Sequence, residues 1–482
     1  MSPSPRALLA LLTGAFLCGC AVGPDYQRAS VPIPEHFKEG GDGWKPARPG
    51  DHLDRGSWWR VFGIPELDAL EARVAKANQT VAGFEGAYRQ ARALVAQAKS
   101  SWFPTLGASG SATRARGAGR SSNQPGGINA GQATEANIFD VSLDASWELD
   151  LWGRVRRQVS SARFSQQAAG ADWANALLSA QATLAQSYFQ LRALDGAQRM
   201  LDDTVVAFAR FLELTRSRYA QGVAARSDVL QAQTQLALAQ AAAQDNEIAR
   251  ATLEHAIAVL VGEPASSFSL PRAPLTAVPP PIPAQLPSTL LERRPDVAAA
   301  ERRAAAANEQ IGVAISAFFP SLSLSASGGF TSSTLAQWFT APHLVWALGP
   351  QLVAALFDSG LRKAQTDEAR ALHAQSVAAY RQTVLAAFQD VEDNLVSLRV
   401  LEQELVAQGE AVGYARQARD ILTNQYKAGT ASALQVIDAQ TTLLSAEQRL
   451  VLLTGQRMVS AVGLIKALGG SWGEPPPASR HE

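Results

Sequence analysis

The chain has 482 residues, with 43 basic and 43 acidic side chains, so bulk charge gives nucleic acid no reason to bind, and no basic cluster is offered to a phosphate backbone. Hydrophobic residues make up 47% of it, yet no run of 18 apolar residues follows the N-terminus, which argues against a transmembrane-helix protein. Proline is absent from 126 to 263 and from 351 to 474, and the chain is rich in alanine, the best helix former; two long helical regions are expected.

Residues 1–20 read as a secretory signal, with Arg6 ahead of an apolar stretch from Ala7 to Phe16. The segment ends Leu17-Cys18-Gly19-Cys20, which resembles a bacterial lipobox and predicts acylation of Cys20. The alternative is a pair of ordinary thiols in a discarded signal. Cleavage before Cys20 leaves one cysteine, so disulfides are not the stabilising device. Ala21 after the cysteine, in place of an aspartate, resembles a lipoprotein sorted to the outer membrane. Residues 21–63 are expected to be an extended N-terminal segment.

An internal repeat organises the rest. At a shift of 207 residues, Tyr219-Ala-Gln-Gly222 falls on Tyr426-Lys-Ala-Gly429, Ala232-Gln233 on Ala439-Gln440, Leu191-Arg192 on Leu398-Arg399 and Gly153 on Gly360. Upstream, Trp102-Phe103-Pro104 pairs with Phe318-Phe319-Pro320 at a shift of 216. Repeat 1 is placed at 64–262 and repeat 2 at 288–470. Between them, 263–287 is proline-rich, with eight prolines from 264 to 287, and is expected to be a stiff connector. Residues 471–482 form a short tail.

Stepping back by threes and fours from Tyr219 to Trp173, eleven of fourteen positions are apolar, and the set from Tyr380 to Tyr426 gives the same count. A 3.5-residue period held this long means coiled-coil packing. A second helical stretch follows each Tyr-x-x-Gly, near 228–261 and 433–468, so each repeat holds a long helical hairpin that turns at a glycine. Ser227, Thr430 and Ser432 are candidate caps for the helices that follow.

Between the aromatic-proline motif and Gly153 the period drops to two. Phe139, Val141, Leu143, Ala145, Trp147 and Leu149 alternate with Asp140, Ser142, Asp144, Ser146, Glu148 and Asp150. Leu322 to Ser327 alternates as well, and 105–116 and 344–357 are weaker strand candidates. One β-hairpin per repeat, at about 104–150 and 320–357, gives four strands, too few to close a barrel. Two readings follow. The hairpins pack as soluble elements on the helices with apolar faces inward, or several chains assemble a barrel with apolar faces in lipid. Trp102, Trp147, Trp152, Phe330, Trp338, Trp346 and Phe357 flank the strands as an interfacial girdle does.

No catalytic constellation appears. The six histidines stand at no ligand spacing, there is no phosphate loop or nucleophile elbow, and the acidic cluster Asp390, Glu392, Asp393 reads as a solvated helix face. No cofactor is expected beyond a covalent lipid on Cys20.

Taken together and in order, Gly19-Cys20-Ala-Val-Gly-Pro-Asp-Tyr26, Phe-Pro before each hairpin, Trp147-Glu-Leu-Asp-Leu-Trp-Gly-Arg154, Phe357-Asp-Ser-Gly360 and both Tyr-x-x-Gly turns resemble the TolC-like outer-membrane efflux family, in its lipidated NodT-type branch. The resemblance implies a mainly α fold with a small β part and a homotrimer. Each chain then gives four strands to a twelve-strand barrel and two hairpins to a periplasmic tunnel. It implies the exit duct of a tripartite pump in the outer membrane, with a periplasmic adaptor and an inner-membrane pump of the resistance-nodulation-division class as partners. Carried over residue by residue, the adaptor-contact tip is Tyr219, Gly222, Val223, Ala224, Tyr426, Gly429 and Thr430. Leu434 and Asp438 fall on the periplasmic gate, where three copies of Asp438 make a carboxylate ring; the first-repeat equivalents are Ser227 and Gln231, and a second gate acid of some members is Ala431 here. Asp140, Asp144 and Glu148, with Asp150, give the barrel lumen a cation-favouring acidic face. The competing readings are a periplasmic coiled-coil adaptor, a lipid-anchored stalk, and a duct for protein secretion.

Overall fold

The computed structural model describes residues 21–31, 57–117, 134–279 and 294–470. The chain runs α1 (Pro65–Ala77), α2 (Gln79–Ser100), β1 (Thr105–Gly117), β2 (Thr134–Leu149), α3 (Arg154–Ala220), α4 (Arg226–Leu260), α5 (Pro295–Ser316), β3 (Ser321–Ser332), β4 (Leu344–Val353), α6 (Leu361–Ala428) and α7 (Ala433–Ala467). The repeat is visible in the element bounds. α3 and α6 have 67 and 68 residues, α4 and α7 have 35 each, and α4 begins and ends 207 positions before α7. The glycines that end or begin these helices match in pairs as well, Gly153 with Gly360 and Gly262 with Gly469, all at positive φ. Such a backbone excludes most side chains at little cost to glycine.

The chain divides into two compact units. The first gathers Met1–Ala29, Arg89–Gln167 and Glu301–Ala378 and holds the sheet; the second gathers Ser30–Tyr88, Ala168–Ala300 and Ala379–Glu482 and holds most of the helical hairpins. In the first unit the four strands form one antiparallel sheet in the order β1-β2-β3-β4, so the hairpin of each repeat is joined to the other through β2 and β3. One described helix, α7, is long and apolar enough to cross a membrane by composition, with a mean hydropathy of 1.3, but 44% of that window is buried inside the protein. It is the core helix of its hairpin.

The second unit has its main core where α1 and the short helical turn Trp58–Phe62 meet α3, α4 and α7. Leu67, Leu70 and Val74 pack there with Leu184, Phe189, Leu191, Ile257, Met458 and Ile465. Phe62 and Phe189 rings lie 4.9 Å apart. On the coiled-coil stripe of α3, Leu184, Leu191, Leu201, Phe208 and Leu212 are buried, as a 3.5-residue seam requires. The first residues of the interrepeat connector are held by ion pairs. Asp195 bonds Arg192 (2.9 Å) and Arg250 (2.7 Å), and these two arginines donate to the carbonyls of Pro271 and Leu270.

Glu71 of α1 is fully buried in this unit, and neither carboxylate oxygen has a hydrogen-bond partner among the described residues. Burial, reinforced by the nearby Asp68 charge, pushes its pKa up to about 9. The folded protein therefore keeps a proton that the unfolded chain releases above its ordinary value of 4.5. The stability this group contributes is complete below that value and is lost as pH rises towards 9, at about 1.4 kcal/mol per pH unit. Glu71→Gln removes the titration. Its unfolding transition, followed from pH 5 to 8.5, is expected to lose most of the alkaline decline seen in the wild type. An unchanged slope would place the decline elsewhere.

Candidate functional site

Register decides what the sheet presents. Leu106 and Ala108 of β1 stand opposite Ala145 and Leu143 of β2; Trp147 and Val141 stand opposite Leu324 and Phe330 of β3; Leu322, Ala326 and Phe330 stand opposite Leu352, Leu348 and Leu344 of β4. The four strands thus share one apolar face. It is open: Leu106, Leu348 and Leu352 are 66–75% exposed, and Trp346 is 76% exposed. Exposed apolar surface of this extent does not persist in water. The reading in which these hairpins pack apolar-inward on the helices is therefore set aside. The opposite face carries serine, glycine and acid, with Ser109, Ser142, Gly329 and Val345 in register across it. Among the described residues, both outer edges, of β1 and of β4, are unpaired.

The acidic face expected from the sequence is divided by its neighbours. Asp140 accepts the Thr331 hydroxyl at 2.7 Å, and Asp144 accepts that of Ser142 at 2.8 Å. Glu148 is gripped by both arms of Arg154, which offsets its charge. Asp150 is engaged as a helix cap. Its carboxylate accepts the backbone N–H groups of Val155 and Arg156 at 3.0 and 2.9 Å and so caps α3, where the helix dipole favours an anion.

Cys20 lies outside the described residues, but the segment that follows it is tightly held in the first unit. Val22 N–H donates to the Trp152 carbonyl at 3.1 Å. The buried Arg157 donates to the carbonyls of Val22, Gly23 and Pro24 and pairs with Glu309 at 3.1 Å. Gly23 has φ 103, and a Cβ there would stand 2.5 Å from the Cα of Gly312. Tyr26 donates to Glu301 at 2.8 Å. The Gly-Pro-Asp-Tyr motif is thus a fitted strap. Arg157 and Gly312 are residues that the sequence reading missed; nothing in their local pattern marks them, since their partners are 130 residues and more away.

At the turns of the hairpins, in the second unit, both Tyr-x-x-Gly motifs have the same geometry. Gly222 N–H donates to the Tyr219 carbonyl (2.9 Å) and Val223 N–H to that of Arg218 (3.0 Å); Gly429 and Thr430 repeat this on Tyr426 and Gln425 at 3.0 and 2.9 Å. These are Schellman closures with a left-handed glycine, φ 77 and 81. Of the three candidate caps, Ser432 serves, accepting from Gln435 N–H at 3.3 Å. The cap position of α4 is Ala225, whose N–H donates to Asp228 at 3.3 Å, and Thr430 bonds back to the Gln425 carbonyl.

The two tyrosines differ. Tyr219 is 47% exposed, as are Val223 and the turn around it. Tyr426 is 3% exposed: its ring packs on Phe211 at 5.3 Å, the Arg218 guanidinium lies over it at 4.6 Å, and its hydroxyl donates to Thr215 at 3.4 Å. Its place among the docking residues is corrected accordingly, because a buried ring offers no surface to a partner; Tyr219, Gly222, Val223, Gly429 and Thr430 are exposed and Ala224 is half-buried. Leu434 and Asp438 both point outward from α7, one turn apart, opposite Ala433, Val436 and Ile437, which fill the tip core. Asp438 has no hydrogen-bond or ion-pair partner among the described residues. Leu434 is 52% exposed.

The chain matches the model of the outer membrane efflux protein family over residues 72–263 and 286–470. It is 32% identical over 473 residues to the pyoverdine export outer membrane protein OpmQ of Pseudomonas aeruginosa, covering 96% of this chain and 97% of that one. It is 30% identical to the probable efflux pump outer membrane protein TtgC of Pseudomonas putida, covering 97% and 96%. The solved outer-membrane channel OprN superposes with a TM-score of 0.82 at 29% identity, over 94% of this chain and all of that one. Four strands with an open apolar face, two duplicated hairpins and these likenesses across nearly the whole length agree: the chain belongs to the outer membrane efflux protein family and is an outer-membrane channel of a tripartite efflux system, extending into the periplasm.

Proposed function

We propose that three copies of the chain, four strands each, close one barrel in the outer membrane and continue it as a helical duct. The duct passively conducts drugs or other small toxic compounds, handed over by a periplasmic adaptor and an inner-membrane pump. The observation that carries this reading is the sheet: an apolar face open along its length, a polar face behind it, and two unpaired edges that lipid does not tolerate. Energy and selection belong to the pump, and the duct performs no reaction. The cargoes named for similar proteins differ widely, from pyoverdine to toluene to cations, which supports a conduit that does not select. An acyl group on Cys20 adds a second attachment, beside the strap that Arg157 holds. Asp140 and Asp144, each accepting a neutral hydroxyl, supply the acid of the barrel wall.

In this reading the exposed turns at Gly222–Ala224 and Gly429–Thr430 meet the adaptor. Three copies of Leu434 and Asp438 form the periplasmic constriction, an apolar ring and a carboxylate ring one helical turn apart. Adaptor binding favours the open packing of the hairpins. Single-channel conductance in planar bilayers tests both parts. A small wild-type conductance that rises severalfold in Asp438→Ala is expected. Equal conductance in the two removes Asp438 from the gate; no conductance in either removes the duct.

A further inference from the structure

The apolar face of the sheet carries charge at one end only. In register, it has no charged residue from Leu106 to Ala112 on β1 or from Phe139 to Leu149 on β2, and β3 and β4 add none. The charges on this face of the described strands are Arg114, Arg116 and Glu135. All three lie at the end of the β1–β2 hairpin remote from α2 and α3, which is the end turned away from the periplasm.

Aromatic rings mark the level just below them. Phe139 packs on Trp338 with ring centroids 5.5 Å apart, Trp338 on Phe339 at 5.1 Å and Phe330 on Phe339 at 5.6 Å; Phe339 is 67% exposed. Aromatic rings collect where acyl chains give way to headgroups. Trp147, eight residues from Phe139 on the same face of β2, marks the opposite boundary. The span between them is about 27 Å along the strand, or about 20 Å across a bilayer at the usual barrel tilt. Arg114 stands opposite Asn137 and Arg116 opposite Glu135, while Phe139 stands opposite Ala112. The two arginines are therefore about 7 and 13 Å beyond the ring level, at headgroup height.

These charges do not balance. Glu135 pairs with Arg114 at 2.6 Å and reaches Arg116 only at 4.0 Å, and the two arginine side chains are 73% and 70% exposed. One carboxylate facing two guanidiniums leaves a net positive charge on the rim of every chain. On a soluble hairpin water would satisfy it. On a wall that faces lipid the guanidiniums stand among headgroups, where their planar fork matches a phosphate with two parallel hydrogen bonds.

We propose that Arg114 and Arg116 bind the phosphate of an outer-leaflet lipid, whose acyl chains lie against the Phe139, Trp338 and Phe339 rings below. The inference rests on the barrel reading, and adds which lipid chemistry the wall engages and where. The site occurs once per chain. Glu135 competes with the phosphate for Arg114 and so sets the affinity.

The test uses the purified full-length protein in detergent, titrated with diphosphoryl lipid A and weighed by native mass spectrometry. Lipid A stripped of its phosphates and inorganic phosphate are run alongside. Wild type is expected to retain the diphosphoryl lipid, one per chain, and to hold the stripped lipid far more weakly. Arg114→Gln combined with Arg116→Gln is expected to weaken retention about tenfold or more. Glu135→Gln is expected to strengthen it severalfold, a direction that damage to the fold does not produce. Arg416→Gln removes another exposed arginine, from α6, and is expected to change nothing. Equal retention by wild type and the double variant overturns the proposal, and so does equal retention of lipid A with and without phosphate. Inorganic phosphate that displaces the lipid at equal concentration makes the site one for a free anion and also overturns it. Planar-bilayer conductance of the same preparations separates this failure from that of the barrel. A conducting wild type that shows no phosphate preference loses the lipid site and keeps the channel; a wild type that does not conduct loses both.

Discussion

Asp195→Ala is expected to destabilise the helical unit by about 3–5 kcal/mol, because it strands two buried cations rather than one contact. The Asp195 side chain is 1% exposed and lies between Arg192 at 3% and Arg250 at 8%. One oxygen accepts Arg250 at 2.7 Å; the other accepts Arg192 at 2.9 Å and the Ala273 N–H at 3.1 Å. Truncation leaves both guanidiniums to Glu66, Glu254 and backbone carbonyls, and frees the connector residues that they hold. Asp195→Asn keeps the acceptor and loses the charge, so a smaller loss is expected. For comparison, Arg416 and Glu447 pair at 2.7 Å, but Arg416 is 58% exposed, so Glu447→Gln is expected to cost about 0.5 kcal/mol or less. Denaturant unfolding followed by circular dichroism orders the three. A loss in Asp195→Ala no greater than in Glu447→Gln would show that the buried cluster is already hydrated.

The second large effect concerns the sheet. Leu348 stands in register with Ala326 on the apolar face and is 66% exposed. Leu348→Arg puts a cation into lipid, at about 2–4 kcal/mol near the bilayer midplane for each copy, and a barrel of three chains meets that cost three times. The mutant is expected to be nearly absent from the outer-membrane fraction and to lack a heat-modifiable band. Ser327→Arg, whose position pairs with Asp144 on the opposite face, is the control and is expected to insert. If Ser327→Arg fails and Leu348→Arg inserts, the two faces have been exchanged and the polar side meets lipid.

The helices and their turns were legible because their signals are local. A 3.5-residue stripe, the absence of proline and a repeated Tyr-x-x-Gly place α4, α7 and the C-terminal ends of α3 and α6 to within a residue or two, since backbone bonding in a helix and a Schellman closure spans only a few positions. The strands were legible as alternation, and four of them as too few for a barrel. What only the tertiary structure decided is non-local. Pairing of β2 with β3 joins segments nearly two hundred residues apart, and a slip of one residue would have put Leu143 and Leu348 on opposite faces; alternation fixes a period and not a partner. The strap at Gly23 depends likewise on Arg157 and Gly312, and the acidic row divides only once Arg154 reaches Glu148 and the first turn of α3 reaches Asp150. Two tyrosines identical in motif part company for the same reason: Tyr426 is covered by Phe211 and Arg218 of the other hairpin, while Tyr219 is left 47% exposed. Periodicity set which side of each element is apolar, and packing between distant segments set what that side meets.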